Sequence, residues 1–413
     1  MTAQIFRQHR LAFVMTFGAF ALWGIGHRLY DTLMPEFAKL FALGSAEMVV
    51  TQNAYSWIYL LFAIPAALYS RTFGSKACIV FGLGAWCVGA FLFYPAAQQH
   101  AFLFFLFAAG VMCVGYLFLE IAVNPIVARM GSPETAIRRL NFAHALFPVG
   151  SLVGLFVGRW VILSDLARPL SELANAEVRP YMVIGVAALA LAFIVDNASF
   201  PALATERVRG NGAMQEFRTL LSRPLFLAAI AAQMCYAATR VGTWALAGLY
   251  IQNAMPGASI LTVADLGLAA LIIFGIGRFA GATMMIWLDP GRLLALFAGS
   301  GLVLLAVAAF VGGQIGVYAI LASSFSMSII YATVLGSAIR DLGPLTKAGT
   351  ALIYMGGSGA AIGVGLMHVV WTFTSIQLTM LVPMLGFAGV LAYAVVMSRQ
   401  AATSAAVQAA QAG

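Results

Sequence analysis

Residues 101–128 read AFLFFLFAAGVMCVGYLFLEIAVNPIVA, an apolar run broken by a single carboxylate, Glu120. A bilayer core roughly 30 Å thick is crossed by about 20 such residues in a helix. Backbone amides find no water at that depth, and a helix satisfies them internally. The run does not alternate with period two, and neither does the rest of the chain, which argues against an outer-membrane barrel. Working outward, similar spans lie near 11–33, 48–69, 78–97, 140–164 and 179–203. A second set lies near 225–252, 262–287, 293–312, 317–338, 350–372 and 378–398. The expected fold is an all-α membrane protein with twelve transmembrane helices in two pseudo-symmetric six-helix bundles.

Composition agrees. Of 413 residues, 62% are hydrophobic and only 9% charged, with a mean hydropathy of +0.95, whereas soluble domains carry about 25% charged residues. The net charge of +8 sits in short loops, with no basic patch interleaved with aromatics, so nucleic acid is not an expected partner. Cys78, Cys87, Cys113 and Cys235 fall in apolar segments without metal-ligand spacing and read as packing residues. No metal or cofactor is expected. The first apolar run is too long for a signal peptide and reads as a retained helix.

The longest polar stretch runs from Thr205 to Pro224. It divides the chain into an N-terminal bundle, 1–204, a cytoplasmic linker, 205–224, and a C-terminal bundle, 225–413, that ends in a short cytoplasmic tail. Placing both termini in the cytoplasm puts most loop cations inside, among them Arg10, Arg71, Lys76, Arg138, Arg139, Arg218 and Arg399. Lys39, Arg168 and Arg179 are left outside. Span five carries Gly150, Gly154 and Gly158, and span eleven carries Gly359 and Gly363. Small residues four apart let helix backbones approach closely. Two six-helix halves joined by a cytoplasmic linker describe the major facilitator architecture, whose solute site lies near the midplane.

Narrower motifs follow. Leu22-Trp-Gly-Ile-Gly-His-Arg-Leu-Tyr-Asp31-Thr-Leu-Met-Pro35 resembles the first helix of the fucose–proton symporter family, roughly LWGxxNxLNDxLxP. Leu119-Glu120-Ile-Ala-Val-Asn124-Pro125 is similar to its LETAANP, and Arg139-Leu-Asn141-Phe-Ala-His144 to its RLNLAQ. Cys235-Tyr236 with Trp244, Gly277-Arg278-Phe279, Tyr331 and Thr346-Lys347 fall in the family's order. The resemblance implies a proton-coupled importer, usually of a neutral sugar, in a bacterial inner membrane. It assigns proton coupling and sugar binding to the acids matching Asp31 and Glu120. The chain departs from the family pattern at His27, Arg28, His144, Phe147 and Arg240.

An ionisable residue within the bilayer costs roughly 2.5–3.5 kcal/mol on insertion scales, so each one asks for a reason. Trp23, His27 and Asp31 share a helix face, with Arg28 one turn before Asp31. Either Arg28 and Asp31 neutralise each other, or His27, Arg28 and Asp31 line an aqueous cavity. Glu120 has no cation one turn away on its own helix, the condition for a carboxyl that takes up and releases a proton. Asn124 extends its face, and His144 is placed to bind solute or exchange protons with it. Tyr236, Arg240 and Trp244 share a face of span seven, which suits a planar or carboxylated solute. Alternatively, Arg240 neutralises Asp31 or Glu120. Tyr331 is a further candidate for solute binding. Arg278 and Asp289 resemble the conformational-lock loop that follows the second helix of each half.

Without a P-loop or a soluble domain to host one, an ion gradient is the expected energy source, with sodium left open beside the proton. No nucleophile–base set, HExxH or GxSxG appears, so no enzyme is expected. The sequence reads as a monomeric symporter importing a small polar solute, a sugar or a hydroxylated carboxylate. A proton-driven exporter of a drug-like, siderophore or metabolite substrate is the alternative.

Overall fold

The computed structural model describes residues 10–43, 45–165, 170–207 and 212–412. Arg7, Arg168 and Arg209 lie outside them. The described chain is helical throughout: α1 Arg10–Leu40, α2 Ser45–Phe73, α3 Ser75–Gln98, α4 Phe102–Arg129, α5 Ala136–His144, α6 Leu146–Asp165, α7 Leu170–Asn197 and a short α8 Ala202–Thr205. Then come α9 Ala213–Leu221, α10 Pro224–Ala254, α11 Ile260–Met284, α12 Pro290–Phe310, α13 Gly313–Met327, α14 Ile330–Ile339, α15 Thr346–Met355, α16 Gly359–Phe373 and α17 Leu381–Ala412. Among the described residues, ten spans are long and apolar enough to cross a membrane. Helices α1 and α2 occupy the first and second expected positions. Many large apolar side chains are exposed, including Leu103, Trp160, Phe193, Phe310 and Phe373. That is the surface of a protein whose solvent is lipid.

Three expected spans are broken rather than continuous. Span five divides at Ala145 into α5 and α6, because Pro148 lacks an N–H and its ring crowds the carbonyl one turn back. Span ten divides at Ser328 and Ile329 after a serine-rich turn, in which Ser323 Oγ bonds back to the Ile320 carbonyl at 2.7 Å. Span eleven passes through a 3-10 turn at Gly356–Ser358, where paired glycines are poor helix formers. The linker region also contains α9, with Phe217 and Leu220 buried. Helix α17 continues to Ala412 through residues expected to form a tail, since their alanines and glutamines favour helix.

The helices gather into two compact units. One holds Met1–Pro133, Ala143–Ala213 and Gly343–Tyr354; the other holds Glu134–Phe142, Met214–Leu342 and Met355–Gly413. Each unit therefore includes a short piece contributed by the opposite half of the sequence.

In the first unit α1 packs on α6, α3 on α4 and α7, and α2 on α4. Trp86, Phe93, Phe105, Tyr116 and Tyr181 fill its core. Lys347, on α15, is 7% exposed. Its Nζ donates to the Ser70 carbonyl at the end of α2 (2.9 Å) and to the Glu206 carbonyl (3.0 Å). The Glu206 carboxylate accepts in turn from Arg129 at 3.0 Å. The Ser70 carbonyl also accepts from the Gly74 amide at 3.0 Å, and a cation beside the last turn of a helix is favoured by the helix dipole. Lys347→Met, which keeps the apolar stem, is expected to destabilise the protein by about 1.5–3 kcal/mol, the worth of a hydrogen bond from a charged donor. Chemical denaturation in detergent micelles checks this.

In the second unit α10 packs on α16 and α17, α12 on α13 and α17, and α11 on α13. This repeats the pairing pattern of the first unit. Ile137 of α5 joins a core of Met285, Leu293, Phe297 and Ile329, and Asn141 Nδ2 donates to Thr333 Oγ1 at 3.1 Å. Asp289 caps α12 by accepting from the Gly291 and Arg292 amides, both at 3.0 Å.

Candidate functional site

The glycine ladders set the register of the helices that carry the candidate residues. A Cβ on Gly150 would lie 1.9 Å from the Ala21 carbonyl oxygen, and one on Gly154 would lie 2.4 Å from that of Ile25. In the second unit a Cβ on Gly359 would lie 2.2 Å from the Met234 carbonyl oxygen, and one on Gly363 would meet Ala238. Ala21 and Ile25 therefore correspond to Met234 and Ala238. At the same offset Trp23 corresponds to Tyr236, His27 to Arg240 and Asp31 to Trp244. The two clusters are internal-repeat equivalents.

In the first unit Glu120 is 4% exposed, and Tyr59 donates its hydroxyl to Glu120 Oε1 at 2.8 Å. One turn on, Asn124 Nδ2 donates to the Glu120 carbonyl (2.8 Å) and to the Tyr354 hydroxyl (2.6 Å). With both amide hydrogens so placed, Asn124 Oδ1 can only accept. His144 Nε2, at 2.9 Å, is therefore the donor. Helix α4 brings Glu120 and Asn124 together by its own period; α2 supplies Tyr59 and α15 supplies Tyr354.

Helix α1 forms the neighbouring wall. His27 Nδ1 lies 3.5 Å from Asp31 Oδ2, and Arg28 Nη1 lies 3.9 Å from the same oxygen. Asp31 thus faces both Arg28, its expected partner, and His27, and its side chain is 45% exposed. The Trp23 ring packs on Phe147 (centroids 4.4 Å) and edge-on to His27 and His144 (both 6.4 Å). Trp23 Nε1 is buried with no hydrogen-bond partner among the described residues. Phe147 packs against His27 as well (6.0 Å).

In the second unit the Arg240 guanidinium lies over Trp244 at 5.8 Å, and that of Arg278 over Phe274 at 4.8 Å. The Trp244 and Phe274 rings meet edge-on at 5.2 Å. Trp244 Nε1 donates to Ser324 Oγ at 3.3 Å, and Tyr236 lies 6.1 Å from Tyr331. Tyr236, Arg240 and Tyr331 are all within electrostatic reach of Arg278. Arg278 is 5% exposed, so its neighbours are the aromatic and cationic candidates. Asp289, expected to act with it, is occupied as a helix cap.

The arrangement supplies an acid buried beside a hydroxyl donor, an amide–imidazole pair, and aromatic faces flanked by cations. Sequence reading misses Tyr59, Tyr354, Phe274 and Ser324, since an aromatic or serine in an apolar span carries no mark of its partner.

The family model described as Major Facilitator Superfamily matches residues 11–366. The chain belongs to the Major Facilitator Superfamily. Within it, this facilitator is 29% identical to the L-fucose-proton symporter of Haemophilus influenzae, an alignment covering 85% of this chain and 86% of that one. It is 26% identical to a glucose/galactose transporter of Brucella abortus, covering 92% of each. A crystal structure of the E. coli fucose:proton symporter, FucP, superposes with a TM-score of 0.86 at 27% identity, covering 94% of this facilitator and 99% of that chain.

Proposed function

We propose that this facilitator is a proton-coupled sugar symporter of a bacterial inner membrane, working by alternating access with both termini in the cytoplasm. The observation that carries the reading is the environment of Glu120. It is a membrane-buried carboxyl, 4% exposed, whose own unit gives it a hydroxyl donor, Tyr59, at 2.8 Å. A group so placed changes charge at low structural cost, because the neutral acid keeps the Tyr59 bond and is at ease in an apolar surround. Relatives of similar length, whose names give a fucose–proton symporter and a glucose/galactose transporter, support sugar as the solute class. Glu120 carries the proton, and Asp31, held by His27 and Arg28, tunes the wall beside it. In the first unit Trp23, Asn124 and His144 offer ring faces and polar atoms to a solute, and in the second unit Tyr236 and Tyr331 do so. The conformational role of Arg278 and Asp289 is not part of this reading, and the exporter alternative is not favoured by the named relatives.

The test is uptake by proteoliposomes. An inward-directed proton gradient is expected to drive accumulation of a labelled sugar, and a protonophore to collapse it. Uptake that ignores both, and follows a sodium gradient, would overturn proton coupling.

A further inference from the structure

The second unit holds two guanidiniums on one pair of rings. Arg240 flanks Trp244, Arg278 flanks Phe274, and the rings touch edge-on. Arg240 lies sixteen residues into the 31-residue helix α10, about 24 Å from its start at 1.5 Å per residue. It is therefore deep in the bilayer, where one cation is costly and two neighbouring ones repel each other.

The described acids of this unit lie elsewhere. Asp289 caps α12, Asp341 pairs with Arg340 at 2.8 Å, Glu134 and Asp265 are exposed, and Glu216 is half-buried on α9. Within the unit, no described carboxylate lies within 4 Å of Arg240. The same face of α10 presents two further polar groups, Gln233 and Thr243, 1% and 0% exposed. Their Gln233 Oε1 and Thr243 Oγ1 atoms have no hydrogen-bond partner among the described residues. Buried polar atoms in native proteins are nearly always bonded, so the Thr243 hydroxyl, one turn from Arg240, points to a ligand that is both hydroxylated and anionic.

We propose that the solute carries a carboxylate, held by Arg240 with Arg278 beside it, and that this facilitator transports sugar acids in preference to the parent sugars. The proposal rests on the symporter reading and narrows it. The Trp244 face then stacks on the sugar ring, while Thr243 takes one of its hydroxyls.

The experiment compares D-galacturonate with D-galactose, which differ only at C6, and adds D-gluconate and L-fucose, each as proton-driven uptake into proteoliposomes. An acid is expected to be taken up with a KM at least roughly 10-fold below that of either neutral sugar. Arg240→Gln is expected to cut the acid-to-neutral preference by roughly 10- to 100-fold, the worth of a charge-assisted hydrogen bond. Arg240→Lys is expected to keep part of it. Quenching of the tryptophan fluorescence by D-galacturonate, measured in detergent on all three proteins, reports binding independently of transport. Proton-driven uptake of galactose or fucose with neither acid accepted would overturn the carboxylate and leave the symporter standing. Proton-independent behaviour with all four compounds would overturn the symporter reading and the inference with it. An unchanged preference in a folded Arg240→Gln protein would remove Arg240 from the account.

Discussion

Glu120→Gln abolishes concentrative, pH-driven uptake while leaving solute exchange across the membrane intact. Glutamine has nearly the shape of the carboxyl, and its amide oxygen still accepts from the Tyr59 hydroxyl, 2.8 Å away in the parent. The packing of α4 is therefore kept, and only the ability to bind and release a proton is lost. One proton moving through 100 mV supplies about 2.3 kcal/mol, worth roughly a 50-fold concentration ratio. In the variant that ratio falls to one. Counterflow, in which unlabelled solute inside drives labelled solute in, needs no net proton movement and should survive. Reconstituted protein tested both ways separates the outcomes: retained pH-driven accumulation would take the coupling role away from Glu120, and loss of counterflow as well would make its role structural.

Gly150→Ala is the second large effect, and it acts on folding. The added Cβ would sit 1.9 Å from the Ala21 carbonyl oxygen, with the carbonyl carbon at 2.7 Å. These are backbone atoms of α1, so no rotamer change relieves the clash and the two helices must part. Overpacking costs typically about 1–3 kcal/mol where side chains can yield. With backbone on the other side we expect about 3 kcal/mol or more, and loss of most monodisperse protein. Gly359→Ala, 2.2 Å from the Met234 carbonyl oxygen, should behave alike in the second unit. Gly84 and Gly299 are the controls, because a Cβ there meets nothing within 4 Å. Alanine at those sites should be neutral or add up to about 1 kcal/mol through helix propensity. Melting temperatures of Gly150→Ala and Gly84→Ala that coincide would show that the close approach carries no weight.

The contrast between these residues also shows where sequence reading works. Gly150, Gly154, Gly359 and Gly363 were legible because their four-residue spacing is a local pattern, and the structure seats them against α1 and α10. The Trp23–His27–Asp31 and Tyr236–Arg240–Trp244 faces were legible for the same reason. The neighbours of Arg278 were not: packing of α11 sets its guanidinium over Phe274 at 4.8 Å, a contact that no local pattern marks. The breaks inside spans five, ten and eleven were not legible either, since hydropathy registers apolar length and is blind to a break that leaves the composition unchanged.

By itself the sequence determined that this chain lives in a membrane, that it is built of helices in two echoing halves, and which ionisable groups are held at depth. Those properties follow from transfer free energy and helical period, which act over one span at a time. Only the tertiary structure decided that Tyr59 bonds Glu120 across 61 positions of sequence and that Asn124 meets Tyr354 across 230. It also decided that short pieces of each half pack into the other unit. Partnerships of this kind depend on which helices touch and at what register. Close packing sets that from side-chain shapes summed over the whole bundle, so no single stretch of sequence contains it.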